Sequence, residues 1–285
     1  MRFLWAVLCI FCVLFLLVSP AQLKGVCYVH IGKSGGNSIV RGLKKMMDLG
    51  IIGSSVQIHS THDRSSLDRT YEIGGMEYTW TNLGGPLNKN IQQCSILSQM
   101  LIWVRDPVSR LISLWDMHWE THWHQKVDLN TLILSMVELE KKNGTGLSRL
   151  FKTFNSIPHA VTDIAFYLGD SKIFLREDRT LANRSENCQK ILLGFSNNTF
   201  VGRTEHMLAD WDRFMNQTIG VQVQLTLPHT HASLNQRKRL SPTSVGFLRL
   251  FYHQDYKCIQ DMVDFGWLGV DYFDEITRLD KVYMY

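Results

Sequence analysis

One stretch constrains this chain more than any other: Tyr28-Val29-His30-Ile31-Gly32-Lys33-Ser34-Gly35-Gly36-Asn37-Ser38-Ile39-Val40-Arg41. Residues 26–31 are rich in β-branched and aromatic side chains and have strand length, while Ile39, Val40, Leu43, Met46 and Met47 recur at helical spacing. The glycine-rich basic loop between them therefore joins a strand to a helix N-terminus. There the first backbone N–H groups lack helical acceptors and the helix dipole presents its positive end, so the junction favours a phosphate or a similar anion. Gly35 and Gly36 admit close backbone approach, Ser34, Asn37 and Ser38 add short polar groups, and Lys33 adds a charge. A strand-loop-helix unit of this kind predicts an α/β fold with a central, mainly parallel sheet flanked by helices.

The loop is not that of the nucleoside triphosphatases. Their pattern places a glycine five residues before Gly-Lys-Ser, where this chain has Cys27, and the lysine here precedes the paired glycines instead of following them. A plain surface turn between strand and helix is the other reading of the loop taken alone.

Residues 3–18 are sixteen consecutive uncharged, mostly apolar residues after Arg2, followed by Ser19-Pro20-Ala21. This length sits between a signal peptide and a spanning helix of about twenty residues, so a cleaved signal and an uncleaved anchor are both open. Both put the remainder in the secretory lumen, with 1–24 as the targeting segment and 25–285 as one catalytic-sized domain. Four sequons, at Asn143, Asn183, Asn197 and Asn216, agree with that compartment. So do Cys27, Cys94, Cys188 and Cys258, for which three full pairings are possible; Cys188 with Cys258 is preferred, leaving Cys27 as a buried free thiol on the central strand. The formal charge of +4 is mild and dispersed, which suits an anionic ligand or glycan and does not indicate a nucleic-acid protein.

Residues 55–59 read as a second strand ending near His59, with His62 just beyond. Ligands of open α/β sheets bind outside the carboxyl ends of the strands, so either imidazole is placed to take a proton from an acceptor hydroxyl; a histidine merely hydrogen-bonded in a polar loop is the bland alternative. Residues 73–90 are loop-rich, with a short strand over 77–82. Residues 100–104 form an apolar strand cut off by Arg105-Asp106-Pro107, where Asp106 caps a helix and Pro107 suits its first turn. Ser113, seven residues beyond Asp106, returns to the same side of that helix. An arginine fork with a hydroxyl makes a second oxyanion site, so the ligand is expected to carry phosphate at both ends.

Together these segments carry a resemblance. The pairing of a strand-H-I-x-K-S-G-G-x-S-helix segment with a strand-V-R-D-P-x-x-R-x-x-S-helix segment resembles the Golgi carbohydrate sulfotransferases of the heparan and chondroitin 2-O and 6-O type. Downstream, Val201-Gly202-Arg203-Thr204-Glu205, Leu234-Asn235 with Leu240-Ser241-Pro242, and Tyr252-His253-Gln254-Asp255-Tyr256 are similar to later segments of that family, in the same order over residues 26–266. The resemblance implies a P-loop-like sulfotransferase fold and 3'-phosphoadenosine 5'-phosphosulfate (PAPS) as sulfate donor, with no metal. It implies that Lys33 meets the 5'-phosphosulfate, that Ser34, Gly35, Gly36, Asn37 and Ser38 cradle it, and that Arg105 and Ser113 hold the 3'-phosphate. His59, with His62 second, matches the base, and Arg237, Lys238 and Arg239 fall where relatives close a segment over the nucleotide. The alternative for that basic run is a solvated stretch before a helix capped near Ser241. Gly32 stands where the family usually has proline, and the luminal stem is nearly absent. The implied partners are a glycan acceptor and, through residues 3–18, the Golgi membrane in type II orientation, or secretion if that segment is cleaved. A luminal kinase of glycans or proteins and a catalytically silent glycan-binding relative are the competing readings.

Trp115, His118, Trp119 and His122 share one helical face. The two histidines have metal-ligand spacing without an evident third ligand, so the face reads as aromatic packing or as a wall for sugar rings. Helical patterns follow over 129–140, 148–154, 160–168, 186–193 and 204–215, and short strands over 172–175 and 199–201.

Overall fold

The computed structural model describes residues 25–32, 34–52, 56–60, 69–73, 76–80, 99–121, 128–154, 160, 161, 164, 168, 185–195, 198–219, 239–278 and 280–283. Six strands form one sheet: β1 (Val26–His30), β2 (Val56–Ser60), β3 (Arg69–Ile73), β4 (Met76–Trp80), β5 (Gln99–Val104) and β6 (Thr199–Arg203), in the order β3-β4-β2-β1-β5-β6. All neighbours pair parallel except β3, which runs antiparallel to β4 at the edge. The expected α/β class with a mainly parallel sheet is what the chain adopts.

Successive residues of the central strands enter opposite layers, as the pleat requires. Cys27, Val29, Met100, Ile102 and Val104 join one apolar cluster, while Val26, Tyr28, Leu101 and Trp103 join another. Both faces are therefore covered, and β1 and β5 read as almost unbroken apolar runs because neither face meets water. The second layer contains α1 (Gly36–Asp48), through Ile39, Leu43 and Met46, and α6 (Met207–Phe214), through Trp211 and Phe214. Opposite lie α2 (Pro107–Thr121), α3 (Leu129–Asn143), α4 (Gly146–Phe154), α5 (Ser185–Leu193), α7 (Pro242–Phe251), α8 (His253–Asp264) and α9 (Val270–Thr277).

The local signals explain the boundaries. Asp128 caps α3 by accepting the Thr131 N–H at 2.9 Å, and Gly144 ends it in the left-handed region at φ 67°. Ser241 caps α7 by accepting from the Ser244 N–H at 3.1 Å, with Pro242 opening the helix as expected. The predicted helix over 204–215 starts later, at Met207, because residues 204–206 make the turn out of β6, and it runs on as a π-helical segment, Met215–Ile219.

Two expectations need correction. Cys188 and Cys258 form the preferred disulfide, joining α5 to α8, but Cys27 is not a free thiol: it is disulfide-bonded as well, to a cysteine outside the described residues. Strand β3 was not anticipated. Arg69-Thr70-Tyr71-Glu72-Ile73 lacks the apolar run of the buried strands because it forms the antiparallel edge. The expected strand over 172–175 and the apolar segment over 3–18 lie outside the described residues. Among those described, no helix is long and apolar enough to cross a membrane.

Candidate active site at the carboxyl edge of the sheet

The chain leaves β1 to build β2 on one side and later crosses back to add β5 on the other, so the strand order reverses between β1 and β5. In open α/β sheets this reversal opens a crevice at the carboxyl ends of the two strands. Val29 of β1 stands opposite Ile102 of β5, which brings the glycine loop after β1 and Arg105 after β5 to the same edge on adjacent strands. The glycine loop and the Arg105 segment were expected on neighbouring strands, and β1 and β5 are adjacent.

The loop is held from three sides. Gly35 adopts φ 76°, a left-handed conformation that a side chain resists, and immediately precedes α1. A β-carbon on Gly35 would strike Met207 of α6, and one on Gly36 would strike the His30 ring. The His30 ring in turn stacks on Tyr28, with centroids 5.9 Å apart. Within this cradle the Ser34 N–H donates to the Ile31 carbonyl at 3.1 Å. Its hydroxyl is fully buried and has no hydrogen-bond partner among the described residues. A buried hydroxyl left unbonded is costly, and an oxyanion seated on the α1 N-terminus would give it an acceptor. Ser38 is buried and Asn37 exposed, so the polar groups of the loop face both inward and outward. The residues present fit a phosphate-bearing group.

Asp106 organises the second half of the edge. It is fully buried, and its carboxylate accepts the Val108 N–H at 3.3 Å, the Ser109 hydroxyl at 3.0 Å and the Tyr256 hydroxyl at 2.7 Å. Lys281 lies 3.3 Å away. The expected cap of α2 is therefore real but is one role among several. One turn on, Arg110 forms a fully buried ion pair with Asp255 at 2.6 Å, whose other oxygen accepts the Ile164 N–H at 2.7 Å. The segment from Asp106 to Arg110 and the Tyr252 to Tyr256 segment are thus bolted together by the Asp106–Tyr256 hydrogen bond, the Arg110–Asp255 ion pair and the Arg110 guanidinium over the Tyr252 ring.

The β6 junction closes the edge. The Thr204 N–H and hydroxyl both donate to the Val104 carbonyl, at 2.9 and 3.0 Å. Glu205 accepts the Asp106 N–H at 3.1 Å and the Tyr272 hydroxyl at 2.9 Å. Glu205 is exposed to solvent, while Asp106, Tyr272 and Arg105 lie around its carboxylate. Burial, and then the Asp106 charge, push its carboxyl above the usual range, with Arg105 opposing. Burial likewise lowers the Arg105 guanidinium, while Glu205 and Asp106 favour its charge.

The other expected site residues are placed as follows. His59 is the penultimate residue of β2 and stands in register with Val29, on the opposite flank of β1 from Arg105. Ser113 is half-buried, two turns along α2. Trp115, on the same helix, is buried against Phe154, so its part of the aromatic face is packing. Lys33, His62, Arg237 and Lys238 lie outside the described residues. The roles of His30, Tyr272 and Lys281 were not foreseen. Glu205 was inside a recognised segment, but Tyr272 and Lys281 lie beyond it and carry no motif signal.

The glycine loop and Arg105 thus stand on adjacent strands at the strand reversal, where a ligand of an open α/β sheet would bind. The profile of the Sulfotransferase family matches residues 17–258, so this chain belongs to that family. No curated protein and no solved structure matches it. The family assignment makes sulfuryl transfer its chemistry in general terms. Among the described residues no group of His, Cys, Asp and Glu is arranged to hold a metal ion.

Proposed function

We propose that the chain transfers the sulfuryl group of PAPS to a hydroxyl of a glycan, as a Golgi enzyme held by residues 3–18 in type II orientation. The observation that carries this reading is the unbonded, buried Ser34 hydroxyl beneath a glycine loop, one strand away from Arg105. The disulfides at Cys188–Cys258 and Cys27 support an oxidising compartment.

The donor supplies an activated sulfuryl group next to its 5'-phosphate; the chain positions it. Lys33 and the amides of Ser34, Gly35, Gly36, Asn37 and Ser38 stabilise the charge that develops on the bridging oxygen as the sulfur-oxygen bond breaks. Arg105 and Ser113 hold the 3'-phosphate so that sulfur faces the acceptor, with Arg237 and Lys238 adding charge over the nucleotide. His59, or failing it His62, removes the acceptor's proton as its oxygen bonds to sulfur.

Calorimetry on the purified full-length protein with 3'-phosphoadenosine 5'-phosphate tests the donor site; absence of binding, or preference for ATP, overturns the reading. Transfer assays on a glycan panel test the rest. Lys33→Ala is expected to abolish transfer, and Arg105→Ala chiefly to weaken nucleotide binding. Of His59→Ala and His62→Ala, the true base loses most of the rate while still binding nucleotide.

A further inference from the structure

Of the sequons in the chain, those at Asn143 and Asn216 have their asparagine among the described residues. Asn216 lies inside the π-helical segment Met215–Ile219, with its backbone committed to that helix. Asn143 is the last residue of α3, and Lys141, Lys142, Asn143 and Gly144 are exposed in succession. The turn that follows is closed by its own groups. The Gly144 N–H donates to the Glu140 carbonyl at 2.9 Å, and the Glu140 carboxylate accepts the Leu147 N–H of α4 at 2.9 Å.

Asn143 takes part in that turn through one atom. Its Oδ1 accepts the Thr145 N–H at 3.2 Å and the Thr145 hydroxyl at 2.6 Å. A backbone N–H can only donate, so the amide atom facing it is the oxygen, which fixes the orientation of the carboxamide. Among the described residues Nδ2 then has no hydrogen-bond partner. A substituent on that nitrogen displaces none of the bonds that close the turn: the oxygen stays with Thr145, and the nitrogen belongs to an exposed side chain.

We propose that Asn143 is N-glycosylated, its Nδ2 accepting an oligosaccharide from a lipid-linked pyrophosphate donor. The inference rests on the luminal reading above. Asn143-Gly144-Thr145 supplies the acceptor motif, with glycine and not proline in the middle. In the transfer Nδ2 bonds to C1 of the donor sugar while the bond from C1 to the pyrophosphate oxygen breaks. The amide gives up one proton, and the lipid pyrophosphate leaves with the electron pair. The folded turn accommodates the product because the hydrogen-bonding atom and the modified atom of Asn143 are different ones.

The test maps peptides of the full-length protein made in a eukaryotic secretory host, after enzymatic release of N-glycans in heavy-oxygen water, which turns each glycosylated asparagine into a labelled aspartate. Label is expected at Asn143. Asn143→Gln and Thr145→Val are each expected to lose one glycan by electrophoretic mobility, and Thr145→Ser, which restores the hydroxyl, to keep it. Label at Asn183, Asn197 or Asn216 with Asn143 unlabelled overturns the inference and leaves the luminal reading standing, as does an Asn143→Gln protein that migrates like the wild type while other sites carry glycan. A chain unlabelled at all of these positions overturns the luminal reading, and the inference with it.

Discussion

Asp106 shows how much one buried carboxylate can be asked to do. It caps α2, receives the Tyr256 hydroxyl and lies beside Lys281, and through its own N–H it ties down Glu205. Burial, and after it the neighbouring Asp106 charge, raises the Glu205 carboxyl above its ordinary range, so the charged form is disfavoured in the folded chain. The sign follows directly. A carboxyl whose folded pKa lies above its unfolded value opposes folding once the pH rises past the unfolded value, and adds no cost below it. Glu205→Gln is therefore expected to raise the melting temperature at pH 7 to 8, and the gain to disappear as the pH falls through the ordinary carboxylate range. Melting curves across that range check it; a gain that persists at low pH would point to packing instead.

At the level of elements, legibility followed burial and capping. β1, β5 and β6 were readable because strands covered on both faces carry near-continuous apolar side chains, and α7 because Ser241-Pro242 states its start. The edge strand β3 was not, since its five residues include Arg69, Thr70 and Glu72 and carry no apolar run of the kind that marked the buried strands. The glycine loop and Arg105 were legible as strand-end positions because the turns there need particular residue types; the buried place of Tyr272 beside Glu205 was not, because any buried tyrosine looks the same in one dimension. Caps make the element scale testable. Asp128→Ala removes the acceptor for both the N–H and hydroxyl of Thr131 and is expected to cost about 1 kcal/mol, read from urea unfolding. Arg110→Met should cost more, about 3 to 5 kcal/mol, because Asp255 would be left charged, buried and without its cation.

For the whole molecule, the disulfide between Cys188 and Cys258 spans 70 residues and pins α5 to α8 across the layer that carries Asp255 and Tyr256. Replacing both cysteines by serine removes that constraint on the unfolded chain. The chain-entropy estimate for such a loop is about 4 kcal/mol, and the denaturation midpoint is expected to fall accordingly when the two proteins are compared under non-reducing conditions.

The partners of Asp106, the residue after Arg105, come from far along the chain: 99 residues separate it from Glu205, and 150 separate it from Tyr256. Synthesis runs from the N-terminus, so the glycine loop and Arg105 emerge while the groups that orient them are still untranslated. The first half of the chain can pair β1 with β5, but the buried carboxylate beside Arg105 meets Glu205 and Tyr256 only after β6 and the helices that follow it have been made.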